Sequence, residues 1–202
     1  MIDRKTVEAV VAFHGHMCPG LAVGIRAAEA ALREIGPHAV DEEIVCAVET
    51  DMCAVDAIQY MTGCTFGKGN LIYRDHGKNA FTFWRRSDGR AVRIRTRHPG
   101  VRPHSPEAGE VFAEVRSGAL SKDEEARHWE DRRRRAHEIL EAPEELVLEI
   151  HEIHEPAPSR ARVHASIDCA DCAESTMETR IRIFQSRQLC PACFARMTAG
   201  RA

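Results

Sequence analysis

No stretch of this 202-residue chain approaches the roughly 20 consecutive apolar residues that cross a bilayer as a helix. Its first residues, Met-Ile-Asp-Arg-Lys-Thr, lead into an amphipathic segment and have no signal-peptide apolar core. No membrane association is expected, and the location read from these features is cytoplasmic. A surplus of one charge is missing too: 28 Lys and Arg face 31 Asp and Glu, a formal net charge of −3. The whole chain therefore carries no basic bias toward nucleic acid or an anionic surface. The Gly-rich stretch Cys64-Thr-Phe-Gly-Lys-Gly-Asn70 lacks the Gly-x-x-x-x-Gly-Lys-Ser/Thr order of a phosphate-cradling P-loop. Its amides and Lys68 could still meet an anion, or the loop could be a tight turn that needs its glycines.

Cysteine is absent from 65 through 168, so the eight cysteines form two groups. In a cytoplasmic chain they point to metal binding or redox chemistry before structural disulfides. Cys169-Ala-Asp-Cys172 and Cys190-Pro-Ala-Cys193 are separated by 17 residues. Two such knuckles supply four thiolates for a tetrahedral structural zinc. Between them, Thr176 to Arg182 and Arg187 to Leu189 suit a hairpin, and a short helix suits the residues after Cys193. Knuckle, hairpin, then a Cys pair opening a helix is a treble-clef finger. About forty residues bury too little apolar surface to fold alone, so the zinc should be essential to this module. A four-thiolate zinc is coordinatively closed, and no catalysis is expected there. Arg180, Arg182, Arg187 and Arg196 could contact nucleic acid or a protein partner.

At the other end, His14, His16 and Cys18 fall within five residues. Pro19 suits the first position of a helix, which sets Cys18 at or beside the N-cap. Helix dipole and free N–H groups there favour a thiolate. A thiolate beside two imidazoles suits a borderline-soft metal such as zinc. The plain alternative is a tight turn with a buried, inert thiol.

Helices are expected over 3–13 and 19–35, the second with an apolar face of Leu21, Ile25, Ala28, Leu32 and Ile35. Gly20, Ala22, Gly24 and Ala27 keep its first half slim enough for another backbone to approach. Glu43 to Glu49 reads as a buried strand, followed by a short helix starting at Asp51 or Cys53 and closing near Gly63. Strands follow at Leu71 to Arg74, Ala80 to Arg86 and Ala91 to Thr96, joined by turn chemistry. Then come a loop bearing His98 and His104, a helix over Pro106 to Gly118, and a longer helix over Leu120 to Ala142 with a Ser121/Glu124 capping box. The Arg132 to Arg135 run in that helix is interleaved with acids and reads as a solvated face. Leu146 to Ile153 is a strand whose neighbouring His151 and His154 read as surface residues. The expected fold class is α+β: an antiparallel sheet covered by helices over 1–155, a linker over 156–162, and the four-cysteine zinc finger over 163–202.

Three stretches carry a family resemblance: His14-Gly-His16-Met-Cys18-Pro-Gly-Leu-Ala-Val-Gly-Ile-Arg26, Asp51-x-Cys53-x-x-Asp56-Ala-Ile-Gln59, and Thr62-Gly-Cys64-Thr-Phe-Gly-Lys68-Gly-Asn70. Over about residues 5 to 155 the chain resembles the FmdE family, named for the FmdE component of formylmethanofuran dehydrogenase. The resemblance implies an α+β core, in some members with a treble-clef finger, and a homodimer. The named enzyme is a tungsten or molybdenum complex that reduces carbon dioxide onto methanofuran. Its FmdE component does not carry the pterin, and this chain shows no molybdopterin-like motif. By position, the family's site would use His16, Cys18, Cys53 and Cys64, with His14, Asp51 and Lys68 nearby, while Cys46 falls inside a strand as core. Cys18, His16 and Lys68 are thereby the catalytic candidates, and a second zinc or other transition metal is the core cofactor expected.

Three functions follow. The first is a metal-binding accessory or metal-dependent subunit beside a formylmethanofuran dehydrogenase-type oxidoreductase. The second is thiol redox chemistry, with Cys18 attacking and Cys53 or Cys64 resolving. The third is a non-enzymatic adaptor whose finger docks on a protein or nucleic acid.

Overall fold

The computed structural model describes residues 2–38, 41–97 and 121–199. His98, His104 and the helix expected over 106–118 lie outside them. The chain forms two compact units that divide at Arg160 and Ala161.

Helix α1, Arg4–His14, starts where Asp3 accepts from the Thr6 amide, and it ends at Gly15, whose φ of +99° a side chain would strain. Four residues later α2, Pro19–Ile35, begins, with Cys18 as its N-cap and Pro19 at its first position. Strand β1, Ile44–Val48, follows, then α3, Ala54–Thr62, closed by Gly63 in the left-handed region. Strands β2, Leu71–Tyr73, β3, Ala80–Arg85, and β4, Ala91–Thr96, come next. Helix α4, Lys122–Glu141, carries the expected capping box, Ser121 and Glu124 each accepting from the other's backbone. A single turn, α5, Glu144–Val147, precedes β5, Leu148–Ile153.

The five strands lie in the order β2-β1-β3-β4-β5. Three pairings are antiparallel, but β2 runs parallel to β1. The wholly antiparallel expectation is corrected at this edge, because α3 makes the crossover that a parallel pair needs. Both faces of β1 are buried, which explains its unbroken apolar run. On one face, Cys46 and Val48 join Phe81, Phe83, Val92 and Ile94 beneath Ala27, Ala30, Ala31 and Ile35 of α2. On the other, Val45 and Ala47 pack with Trp84, Ala91 and the half-buried Ala157. The chain after β5 is tied there: Trp84 Nε1 donates to the Glu155 carbonyl at 3.1 Å and Arg86 to that of Pro158 at 2.6 Å. The Pro-rich stretch read as a linker thus begins as part of the first unit.

Helices α2 and α3 touch through glycine. A Cβ on Gly24 would stand 2.3 Å from the Ala54 carbonyl oxygen, and one on Gly20 3.2 Å from Cys53 Cβ. Helix α4 is held by the buried Arg26 of α2, whose guanidinium donates to the carbonyls of Ile139, Leu140 and Ala142. Those carbonyls sit at the helix end, where no amide of the helix reaches them.

The second unit holds β6, Ser166–Asp168, paired with β7, Ser175–Met177, and β8, Arg182–Phe184, paired with β9, Arg187–Leu189. It ends in α6, Pro191–Thr198. The hairpin expected from 176 to 189 is therefore split. Ser175–Met177 turns back onto the strand before the first knuckle, and the hairpin proper closes at Gln185 and Ser186, both with positive φ.

Candidate functional site

The tip of the first unit brings α1, α2 and α3 together. His14 is the last residue of α1, His16 lies in the turn, and Cys18 caps α2. The ligand atoms of these three lie within 4.8 Å of one another. From α3, Asp56 Oδ2 stands 2.6 Å from His14 Nδ1. That bond holds the ring with Nε2 inward, and Nε2 is buried with no hydrogen-bond partner. A carboxylate on one imidazole nitrogen, with the other nitrogen buried and free, is the arrangement of a metal-ligating histidine. These donors fit a transition ion, a thiolate and imidazoles being zinc-type ligands.

Cys18 is fully buried, and its sulfur accepts from the Leu21 amide at 3.4 Å. Its pKa is held down to about 5, first by a hydrogen bond from the Cys53 thiol, then by the Leu21 amide and the His16 and His14 imidazoles, against the cost of burial. The same hydrogen bond, with burial, pushes Cys53 up, so the pair is a thiolate accepting from a thiol. Both sulfurs lie against Gly20, that of Cys53 3.8 Å and that of Cys18 4.0 Å from where its Cβ would be. Cys53 and Asp56 are three residues apart on α3 and so face the same way.

Three residues expected in or beside this cluster lie elsewhere. Cys64 is buried in the apolar core and its thiol donates to the Ile44 carbonyl at 3.5 Å. Burial pushes its pKa up to about 11, with Lys68 acting on it in the opposite sense. Cys64 and Lys68 thus belong with the start of β1. Asp51 is exposed and acts electrostatically on Tyr73. Two amides of the Gly-rich loop are spent internally. Thr65 N–H donates to Asn70 Oδ1 and Gly69 N–H to the Phe66 carbonyl, while buried Asn70 donates to the Ile44 carbonyl. It is a turn pinned by Asn70.

Helix α4 adds a wall that the motifs do not announce. The Trp129 ring meets His16 edge-on at 5.9 Å, and His128 and the Arg132 guanidinium each lie 5.7 Å from it. Arg132 also acts on Cys53. His128 Nε2 is buried without a partner, and burial lowers that imidazole's pKa. Arg133, Arg134 and Arg135 pair instead with Glu130, Asp131 and Glu138. The solvated reading of the arginine run therefore holds for three of its four members. The signal for the fourth was periodicity: His128, Arg132, Ala136 and Ile139 step along one helix face by 4, 4 and 3, and Ala136 and Ile139 are core.

In the second unit the four sulfurs of Cys169, Cys172, Cys190 and Cys193 lie within 4.8 Å of one another. Cys169 accepts from the Cys190 amide at 3.2 Å, and Cys190, as N-cap of α6, accepts from Cys193 at 3.4 Å. Amides donating to Cys169, from Cys172 and Cys190 first, lower its pKa to about 6. Leu189 and the edge-on pair Phe184 and Phe194 form the small core beneath. Asp171 joins the knuckle to the helix through Arg187 and Arg196. This is a four-cysteine cluster able to bind a metal, on the knuckle, hairpin and helix of a small finger.

Fold and sites define a two-unit α+β protein with a His/Cys cluster in its core and a four-cysteine metal-binding cluster in its finger. Residues 13–149 match the family model described as FmdE, molybdenum formylmethanofuran dehydrogenase operon, and the chain belongs to that family. It is 37% identical over 180 residues to a probable S-adenosyl-L-methionine-binding protein of Archaeoglobus fulgidus. That alignment takes in 84% of this chain and 48% of the relative, so the chain spans about half the length of the curated relative it matches. A crystal structure of a tungsten formylmethanofuran dehydrogenase FmdE-like protein from Syntrophus aciditrophicus superposes with a TM-score of 0.60. It covers 95% of this chain and 91% of the other at 22% identity, a likeness of fold. Among the described residues no helix is long and apolar enough to cross a membrane.

Proposed function

We propose that this protein is a metal-handling accessory subunit, with a transition metal held by His14, His16 and Cys18, Cys53 beside it, and a zinc in the four-cysteine cluster. The observation that carries the core site is His14: Asp56 holds Nδ1 while a buried Nε2 is left without a partner beside Cys18 and His16. Three protein ligands leave a position for a small ligand, and the ion would supply Lewis-acid polarisation or electron transfer there. The chain's own part is to orient His14 through Asp56 and to keep Cys18 ionised through the Leu21 amide and Cys53. The family description, which names a molybdenum formylmethanofuran dehydrogenase operon, supports a place beside such an enzyme.

Metal counting on the purified chain tests this. Two ions per chain, falling to one in Cys18→Ala, is the expected result. One ion per chain, unchanged in Cys18→Ala and lost in Cys169→Ala, sinks the core site.

A second reading is favoured by the Cys18–Cys53 pair, a thiolate beside a thiol: thiol redox chemistry with Cys53 as resolving partner. Rapid alkylation of Cys18 near neutral pH, with no second ion, supports it. The adaptor reading rests on the finger, where Ile183, Arg180 and Arg182 are exposed. Retention on nucleic acid that is lost as salt rises would support that use. S-adenosyl-L-methionine, named for the Archaeoglobus relative, is a further ligand to titrate, since this chain covers only half of that protein.

A further inference from the structure

We propose that His128 of α4 is the fourth protein ligand of the core metal, holding through Nε2 the position that His14, His16 and Cys18 leave in the resting protein. The inference rests on the metal reading of that cluster and names what fills its last place. Among the described residues, two imidazole nitrogens are buried with no hydrogen-bond partner, His14 Nε2 and His128 Nε2. A polar atom shut away from water without a partner is costly, and each of these calls for one. An imidazole nitrogen that carries no proton offers a lone pair, which a metal ion satisfies. The first nitrogen already faces the cluster, and the second belongs to the helix packed beside it.

The register of α4 against α2 brings the two together. Trp129 meets His16, and Arg26 donates to the Ile139 carbonyl, each pair 113 residues apart. Helix α4 therefore runs beside the chain from His16 to Arg26 in the same direction. On that register His128 is level with Gly15, in the turn between His14 and His16. The side of the helix is right as well. His128 and Ile139 are three helical turns apart and share one face, and Ile139 lies in the core with Ala22 and Ala27 of α2. The rings form a continuous series, with centres 4.7 Å apart from His14 to His16, 5.9 Å from His16 to Trp129 and 5.7 Å from Trp129 to His128. His128 Nε2 is not among the ligand atoms that lie within 4.8 Å of one another, so it joins them by a turn of its side chain toward the ion. Three imidazoles and one sulfur make a four-coordinate set of zinc-type donors. With one donor on α4, metal binding and the docking of that helix become a single event.

The full chain loaded with Co(II) is the reporter, and imidazole is the probe. The core contribution to the visible spectrum is the part lost in Cys18→Ala, a difference in which the signal of the four-cysteine cluster cancels. His128→Ala should move the core bands and lower core affinity for Co(II) by at least the roughly ten- to hundredfold that loss of an outer-shell partner costs. Added imidazole should return the bands of His128→Ala to their wild-type positions, and at the same concentration it should leave wild type unmoved. His128→Gln, which keeps a polar side chain without a ring, should move the bands as His128→Ala does, and it guards against a variant that loses metal only because the alanine protein is misfolded. Core bands and affinity unchanged in both variants overturn the inference and leave the metal reading standing. So does imidazole that binds wild type as readily as His128→Ala, since the position would then be open, or that fails to restore the variant. A spectrum with no Cys18-dependent band overturns both.

Discussion

Cys18 draws its chemistry from neighbours contributed by other elements. At the start of α2 it gains one amide, and across Gly20 it gains the Cys53 thiol. Its folded pKa, about 5, lies below the ordinary thiol value near 9. A depressed pKa stabilises the fold fully above the unfolded value. The contribution is lost progressively as pH falls from about 9 toward about 5. In metal-free protein, Cys53→Ala should therefore flatten the rise in urea midpoint across that window, and an unchanged slope would refute the thiolate. The same substitution should raise the pH at which Cys18 alkylation slows. His14 is governed in a similar way by Asp56. Asp56→Asn keeps the shape but weakens the orienting bond, and core metal affinity should fall about ten- to a hundredfold by competition with a chelating dye. Affinity within a factor of two of wild type would mean that Asp56 does not orient the ligand. His14, His16 and Cys18 were legible because they are near in sequence. Cys53 and Cys64 were equal candidates, and only the path of the chain around α3 separated them.

Helix α2 is the element against which the rest of the first unit is assembled. Its Gly20 and Gly24, four residues apart, lie on the side facing α3, while Ala27, Ala31 and Ile35 face the sheet. Gly24→Ala would drive a methyl into the Ala54 backbone, which has no rotamer to yield, and should cost about 1–3 kcal/mol in urea unfolding. Gly20→Ala meets a side-chain carbon at 3.2 Å and should cost less, but it should perturb the Cys18–Cys53 pair directly. A Gly24→Ala protein as stable as wild type would refute the close approach. The slim face of α2 was readable from its small residues, as was the capping box of α4. The role of α4 was not. A mixed-charge helix looks solvated when charges are counted, and here one inward stripe carries His128, Arg132, Ala136 and Ile139. Arg26 was equally hidden, because its three carbonyl partners lie more than a hundred residues away in sequence.

The two units of the molecule differ in what holds them. The first, through Arg160, has a sheet whose central strands β1 and β3 are buried on both faces, with Trp84, Phe81 and Phe83 among them. The second, from Ala161, has Leu189 and a pair of phenylalanines around four sulfurs. So little apolar surface cannot offset the entropy of ordering the chain without a bound ion. A strong chelator should unfold the second unit while the first stays folded, seen as selective loss of dispersed amide signals from residues after 161. Retention of the finger's signals in metal-free protein would refute the dependence. Cysteine spacing alone determined the finger's ligand set, since four thiols in two Cys-x-x-Cys pairs have few ways to converge in so short a segment. Local pattern also determined the α+β class and most elements, because periodicity, caps and turn residues act within a few residues of themselves. Tertiary structure alone decided the parallel edge at β2, the removal of Cys64 and Lys68 from the core cluster, and the arrival of Trp129 and Arg132. Each depends on where a distant segment packs, and chain distance carries no information about that until the core closes.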